Sequence, residues 1–401
     1  MNTGDMRTLT LAPFMALLLI LPFPGTVTLR LICLSAAFLM AIVLWRRLAP
    51  PTIPCRLPLA FWASIALLSL LGAADPRYSL GEIKNEIVYT LIAFVAFFAV
   101  TRDEGDLRRL LISLFAGAFI LCVWAVETWL RLGIWPDQNT SFGGTQAFPG
   151  YVAVVVPMLL LFGAYTPGKW RRLAAAALFL IVCVAGFLCL QRILGLILAG
   201  QAALALILLR RASLIPLSRA SLIACLAGIV AVGAFLSAVM QQKRLETGNT
   251  EAISADIRLE QWPAILRRIS QNPLVGAGFG REAMKKTDRA LVPARNKLLW
   301  HAHNVFLNYG LGMGLPGVVA LTWVFFSLLG EYWRLCNSPD DKLKWLGVAG
   351  IMLVAGVVLR NLVNDMFVRD AAILFWAANG TLLGFGCRRS RRDGPRTDGR
   401  A

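Results

Sequence analysis

The segment Ala147-Phe148-Pro149-Gly150-Tyr151-Val152-Ala153-Val154-Val155-Val156-Pro157-Met158-Leu159-Leu160-Leu161-Phe162-Gly163-Ala164-Tyr165 decides the fold. It carries no charged residue, and a helix needs about 20 mostly apolar residues to cross about 30 Å of hydrocarbon. A bilayer core offers no water to unpaired N–H and C=O groups, so a segment of this kind spans as a helix that bonds its own backbone. Eleven further stretches of the same character flank it, at roughly 8–22, 29–45, 57–73, 86–101, 110–130, 173–190, 193–209, 221–240, 304–330, 343–359 and 366–386. The first, with Pro22 and Pro24 near its end, has the look of a signal peptide, but it lacks a small-residue cleavage site and further spans follow at once. The reading is an all-α polytopic membrane protein with about twelve transmembrane helices. Composition agrees. Of 401 residues, 58% are hydrophobic and 15% charged, and mean hydropathy is +0.66, whereas soluble domains carry about 45–50% apolar and about 25% charged residues. A soluble enzyme, a disordered chain and a secreted disulfide scaffold are excluded.

The few charges are strongly one-signed: Lys and Arg number 40 against 22 Asp and Glu, a formal net charge of +18. Their placement follows the positive-inside rule. Arg7, the triplets Arg46/Arg47/Arg56, Arg102/Arg108/Arg109, Lys169/Arg171/Arg172, Arg210/Arg211/Arg219 and Arg334/Lys342/Lys344, and six arginines between Arg388 and Arg400 put 22 basic residues on one side, read as cytoplasmic. Both termini fall there. The other connections are basic-poor except 241–302, which holds eleven Lys/Arg and six acids. Long loops translocate largely regardless of charge, so this segment is expected to face the periplasm. It reads either as a solvated face or as a surface for anionic head groups and phosphates. The expected organisation is 1–240, the first nine spans; 241–302, the outer loop; 303–387, the last three spans; and 388–401, a basic tail. The loop holds none of the eight cysteines, so no disulfide is expected, and charge segregated in this way speaks for a bilayer rather than nucleic acid.

The only two histidines sit together in Trp300-His301-Ala302-His303-Asn304, where the loop re-enters the membrane. Histidine both takes and gives a proton near neutral pH, and an interfacial anchor beside Trp300 is the plainer alternative. No acid or thiol stands at metal-ligand spacing nearby. If 301–303 is helical, residues i and i+2 face different sides and only one ring reaches a common site. Arg192, between two apolar stretches with no room for a proper loop, either snorkels or points into a polar cavity. Arg360 and Arg369 flank a short outer turn and could pair with Asp365 and Asp370. Within the loop, 254–270 reads as a membrane-surface helix, with Ile257, Ile265, Leu266 and Ile269 near helical spacing beside Trp262, and Arg258, Arg267 and Arg268 toward the polar side. Pro273 ends it, and Gly276, Gly278 and Gly280 make a turn; with no strand before it, this is no nucleotide fingerprint. A base and several arginines on one face suit displacement at a carbon bearing a diphosphate, with Arg supplying positive charge.

Trp300-His301-Ala302-His303-Asn304-Val305-Phe306-Leu307, followed by Gly310, Gly312 and Gly314, resembles the His-Asn…Leu…Gly signature of bacterial O-antigen ligases and their polymerase relatives. Arg258-Leu259-Glu260-Gln261-Trp262, followed by Pro273-Leu274-Val275-Gly276-Ala277-Gly278-Phe279-Gly280, resembles the segment that precedes it in that family. Arg192 resembles the arginine of a Ser-Arg-Gly motif, although Gln191 and Ile193 replace the Ser and Gly here. Asp365, ahead of Leu374-Phe375-Trp376, resembles the acidic position before the last span. The resemblance covers roughly 150–386. It implies a GT-C-like membrane glycosyltransferase of the inner membrane that moves a glycan from undecaprenyl diphosphate to lipid A–core oligosaccharide at the periplasmic face, with inversion and with no metal or other cofactor. Carried over, His303 is the general base, Asp365 orients it or an arginine, and Arg192 and Arg258 hold the diphosphate. His301 is a weaker catalytic candidate, and Arg281 joins the diphosphate set by position alone. An O-antigen polymerase and a protein O-oligosaccharyltransferase share these residues, though relatives of the latter kind often extend further at the C-terminus. A secondary transporter is the reading from another class, but it would show polar or broken segments deep in several spans; a non-catalytic lipid-binding or scaffold protein is the plainest alternative.

Overall fold

The computed structural model describes residues 3–133, 135–136, 147–166, 168–246, 251–287, 291, 300–365, 367 and 369–393. Among them the chain is all-helical, without a strand. The helices are α1 (Thr3–Ile20), α2 (Val27–Val43), α3 (Trp45–Leu48), α4 (Arg56–Leu68), α5 (Pro76–Ile83), α6 (Tyr89–Val100), α7 (Glu104–Leu132), α8 (Phe148–Tyr165), α9 (Lys169–Leu188), α10 (Arg192–Arg211), α11 (Arg219–Glu246), α12 (Glu251–Gln271), α13 (Ala283–Thr287), α14 (Val305–Cys336), α15 (Asp341–Asn361) and α16 (Arg369–Asp393). The apolar stretches read from the sequence fall largely on these helices, although 57–73 runs past α4 into a 3-10 turn and 86–101 begins on the π-helical turn before α6. Among the described residues seven helical runs are long and apolar enough to cross a membrane: Pro76–Val100, which joins α5 and α6 through the π-helical turn Lys84–Val88, and α7, α8, α9, α10, α14 and α15. Four more, Arg7–Ile20, Val27–Val43, Arg56–Gly72 and Arg219–Phe235, are apolar but shorter. Helices overrun the expected boundaries: α11 continues to Glu246, α14 to Cys336, and α16 to Asp393, where the basic tail was expected.

Between apolar helices in lipid, side-chain packing and interhelical hydrogen bonds replace the hydrophobic drive of soluble folding. Gln201 of α10 donates to Ala153 O of α8 (2.7 Å) and Met352 O of α15 (3.1 Å), fastening three helices with one amide. Arg388 of α16 donates to Phe98 O, Ala99 O and Thr101 O at the end of α6, to Leu48 O of α3 and to Gly384 O of its own helix. All but Gly384 O are carbonyls at helix ends, which leave them without an intrahelical partner. Phe367 inserts among Phe325, Phe375 and Trp376, with ring centroids 5.7, 5.3 and 6.2 Å away, and Trp62 of α4 stacks on Trp376 at 5.7 Å. This aromatic cluster anchors the turn between α15 and α16.

Helix α14 is broken. Gly314 has φ 69° and ψ −170°, a conformation that side-chain-bearing residues rarely adopt, and Pro316 follows, which has no N–H to give the helix. The freed backbone groups find partners on the strand-free segment after α12: Ala277 N–H donates to Leu311 O (2.8 Å), Gly278 N–H to Gly312 O (2.9 Å), and Leu315 N–H to Pro273 O (2.7 Å). The glycine run is thus more than a turn. A Cβ on Gly314 would stand 2.5 Å from Pro273 O, and one on Gly276 2.5 Å from the carbonyl carbon of Gly312. Irregular backbone at this depth is tolerated because protein, not lipid, surrounds it. Helix α12 packs on the first half of α14 through Ile265 and Ile269, which bury with Leu311 and Met284; Leu266 is exposed on the other side.

Candidate functional site

The break in α14 and the turn before α16 bring the rare residues together. Asn304 caps α14, its Oδ1 accepting from Phe306 N–H (2.9 Å) and Leu307 N–H (3.1 Å), the role for which Asn is favoured at a helix start. Trp262 of α12 ties the preceding residue pair down by donating Nε1–H to Ala302 O at 3.0 Å. His303, just before the cap, has φ 49°, a left-handed conformation uncommon outside glycine. The segment is therefore not helical, and the condition under which the two histidines would face apart is not met. Their rings stack instead, centroids 3.9 Å apart, and both are buried, at 4% and 5% exposure, which is deeper than an interfacial anchor requires.

Hydrogen-bond logic fixes the tautomers. Asp365 N–H donates to Asn364 Oδ1 at 2.9 Å, which places the amide oxygen, not the nitrogen, in the turn. That oxygen lies 3.2 Å from His303 Nδ1, so Nδ1 carries the proton and the ring lone pair of His303 is on Nε2. His301 is the reverse: its Nδ1 accepts from His303 N–H at 3.1 Å, so its proton is on Nε2. Asn308 of α14 forms the second tie, its Oδ1 accepting from Ala302 N–H (3.0 Å) and its Nδ2–H donating to Asp365 Oδ2 (2.6 Å). Arg281, delivered by the segment stitched to the helix break, donates to Asp365 O (3.3 Å) and lies over the Trp300 ring at 5.5 Å. Burial pushes the Asp365 carboxyl above its ordinary range, while Arg281, Asn308 and the Phe367 N–H pull it back.

Of the residues singled out from the sequence, His301, His303, Asp365 and Arg281 are thus brought into one network. Asp365 does not touch a histidine; Asn364 does, and the acid is held by Asn308. Arg192 opens α10 with its Nε buried and without a hydrogen-bond partner, and among the described residues no bond joins it to the histidines. Arg258 lies on α12, but its side chain falls outside the described residues. The pairing expected for the outer turn is corrected in part: Asp370 is bound by Arg30 of α2, with Arg369 an added attractive charge. The sequence reading missed Asn308, Asn364 and Glu86. Glu86 is buried on the π-helical turn, where its charge interacts with Arg281 and Asp365. Its position at the head of an apolar stretch was the available signal. Among the described residues no group of three His, Cys, Asp and Glu is placed to hold a metal ion.

A family model described as O-antigen ligase matches residues 191–322, from the residue before Arg192 into the second half of α14. The chain is also 26% identical over 353 residues to a Pseudomonas aeruginosa PAO1 protein named O-antigen ligase, covering 82% of this chain and 78% of that one. Together with the His-Asn and Arg segments, both matches support a relationship to the O-antigen ligase family.

Proposed function

We propose that this chain is an O-antigen ligase in activity: a membrane glycosyltransferase that moves a glycan from undecaprenyl diphosphate to a sugar hydroxyl of lipid A–core oligosaccharide. The observation that carries the reading is the His303–Asn364 pair, which puts the proton on Nδ1 and the lone pair on Nε2 of a buried histidine. Nε2 takes the proton of the acceptor hydroxyl as its oxygen attacks the anomeric carbon. The bond from that carbon to the diphosphate breaks on the opposite face, its electron pair leaves with the diphosphate, and the configuration inverts. Arginines stabilise the leaving group in place of a metal ion: Arg281 beside Asp365, Arg192 with its unpartnered Nε, and Arg258 from α12. His301 supports the base by stacking, because its own Nδ1 lone pair is already engaged by the His303 N–H. Asp365 positions Asn308 and the turn rather than the base itself.

In this reading about twelve helices span the inner membrane, 22 basic residues and both termini face the cytoplasm, and 241–302 and the site face the periplasm. The test supplies purified protein with lipid-linked glycan and lipid A–core, together and separately, with and without EDTA. Glycan on the core, formed equally in EDTA, is the expected result. Longer lipid-linked chains without core product would make the chain a polymerase, and activity restored only by a divalent cation would refute arginine as the sole source of positive charge.

A further inference from the structure

At the other end of the bundle five arginines from three separate segments line one cavity. Arg47 comes from α3, Arg102 from the turn before α7, and Arg388, Arg391 and Arg392 from α16; the cavity holds about 230 Å³, and among the described residues no acid lines it. Arg388 is fixed there by five carbonyl acceptors, none of which cancels its charge. Arg102 and Arg392 act on it as like charges, and Asp106 is the acid that attracts it. Asp106, however, already accepts from Arg7 (2.8 Å) and from the Arg102 N–H (3.0 Å). Orientation by positive charge explains how many arginines stand on this side; it does not explain their convergence on one hollow. A second cavity of about 250 Å³ adjoins the first, sharing Arg47, Leu48 and Arg102; Leu11, Leu44 and Val100 line it together with Arg7, Thr10 and Asp106.

Depth fits a lipid. Arg369, four residues past Asp365 in the chain, and Arg388 lie on one helix, and at about 1.5 Å per residue they are about 28 Å apart, close to the thickness of a bilayer's hydrocarbon. The five-arginine cavity therefore stands at head-group level of the opposite surface. We infer that it binds the phosphate of an anionic phospholipid. Arginine suits this ligand because its guanidinium meets phosphate oxygens with paired N–H groups. The site is separate from the proposed glycan transfer and stands or falls independently of it.

The test is native mass spectrometry of the full chain in a zwitterionic detergent, titrated with phosphatidylglycerol, with phosphatidylcholine, and with inorganic phosphate as competitor. The probe variant is Arg47→Gln/Arg102→Gln, whose side chains are exposed and which leaves the Arg388 carbonyl bonds in place. One phosphatidylglycerol should be retained by the wild type, with phosphatidylcholine excluded, and the variant should bind about 30-fold more weakly, the expected effect of two surface arginines on an anionic lipid. Equal retention of both lipids, or equal affinity of wild type and variant, would overturn the site. Displacement by inorganic phosphate at concentrations matching the lipid would overturn the lipid assignment and leave a free-phosphate site. Should the variant not accumulate, ionic strength decides on the wild type alone: binding that does not weaken with added salt refutes a phosphate–arginine contact.

Discussion

Replacing Asn364 by Leu removes the acceptor that holds His303 Nδ1–H while keeping the size of the side chain. Two donors lose their partner, His303 Nδ1–H (3.2 Å) and Asp365 N–H (2.9 Å), and both are buried. A buried donor left without an acceptor costs about 1–3 kcal/mol. If about 2 kcal/mol of that is felt in placing the Nε2 lone pair at the reacting hydroxyl, kcat falls about 30-fold, since about 1.4 kcal/mol corresponds to tenfold. Asn364→Asp keeps an acceptor oxygen in the same place and should retain most of the activity, less what its charge beside Asp365 costs. The assay is initial-rate glycan transfer by purified protein at saturating donor, with melting temperature as the control for folding. The base should be impaired in kcat more than in KM, because substrate contacts are untouched. Asn364→Leu with wild-type kcat, or Asn364→Asp as impaired as Asn364→Leu, would show that this contact does not set the tautomer of the base.

Three further outcomes follow from the same geometry. His303→Ala should abolish glycan attachment to lipid A–core in cells while the protein still inserts and accumulates; a normal ladder of glycan-bearing core on a gel would end the base assignment. Asp365 is held above its ordinary carboxylate range, so the folded state binds more protons than the unfolded state, and its ionisation destabilises as pH rises through that interval. The melting temperature of Asp365→Asn relative to wild type should therefore climb as pH is raised above the ordinary value near 3.8, and a pH-independent difference would contradict the buried, raised acid. Gly314→Ala forces a Cβ to within 2.5 Å of Pro273 O at a positive φ; the backbone conformation alone costs about 1–3 kcal/mol, and a melting temperature equal to wild type would show that the break is not as tight as described.

Most of the fold was readable because membrane spans announce themselves by composition: an uncharged run such as 147–165 has one stable form in lipid. The candidate residues were readable for a different reason, rarity. Two histidines in 401 residues, and arginine at the mouth of apolar stretches, stand out without any knowledge of contacts. Asn308 and Asn364 are the opposite case. Amides are ordinary residues, and these act across 57 and 61 positions of sequence, which no local pattern reports. The arrangement of the histidine pair was left conditional on a helix for a third reason. Helical periodicity sends i and i+2 apart, and the left-handed backbone at His303, just outside the Asn304 cap, brings them together. Glu86 was within reach of the same rule that marked the arginines, but it sits at the edge of an apolar stretch, where a charge looks like a boundary.

The broken helix ties the site's geometry to its stability. An interrupted α14 needs hydrogen-bond partners at 311, 312 and 315, and residues 273–278 supply them. The chain that meets this need continues directly into Arg281, three residues past Gly278, and so delivers the cation to Asp365 and Trp300. The histidines are positioned separately, by the Asn304 cap and the Asn308 and Trp262 ties. Damage at Gly314 should then act unevenly: it should displace Arg281 and weaken binding of the diphosphate donor more than it disturbs the His303–Asn364 contact. In kinetic terms the loss belongs in KM for the donor, whereas damage at Asn364 belongs in kcat. A Gly314→Ala enzyme that folds but loses kcat with donor KM unchanged would show that the break and the base are one unit and that this separation of roles is mistaken.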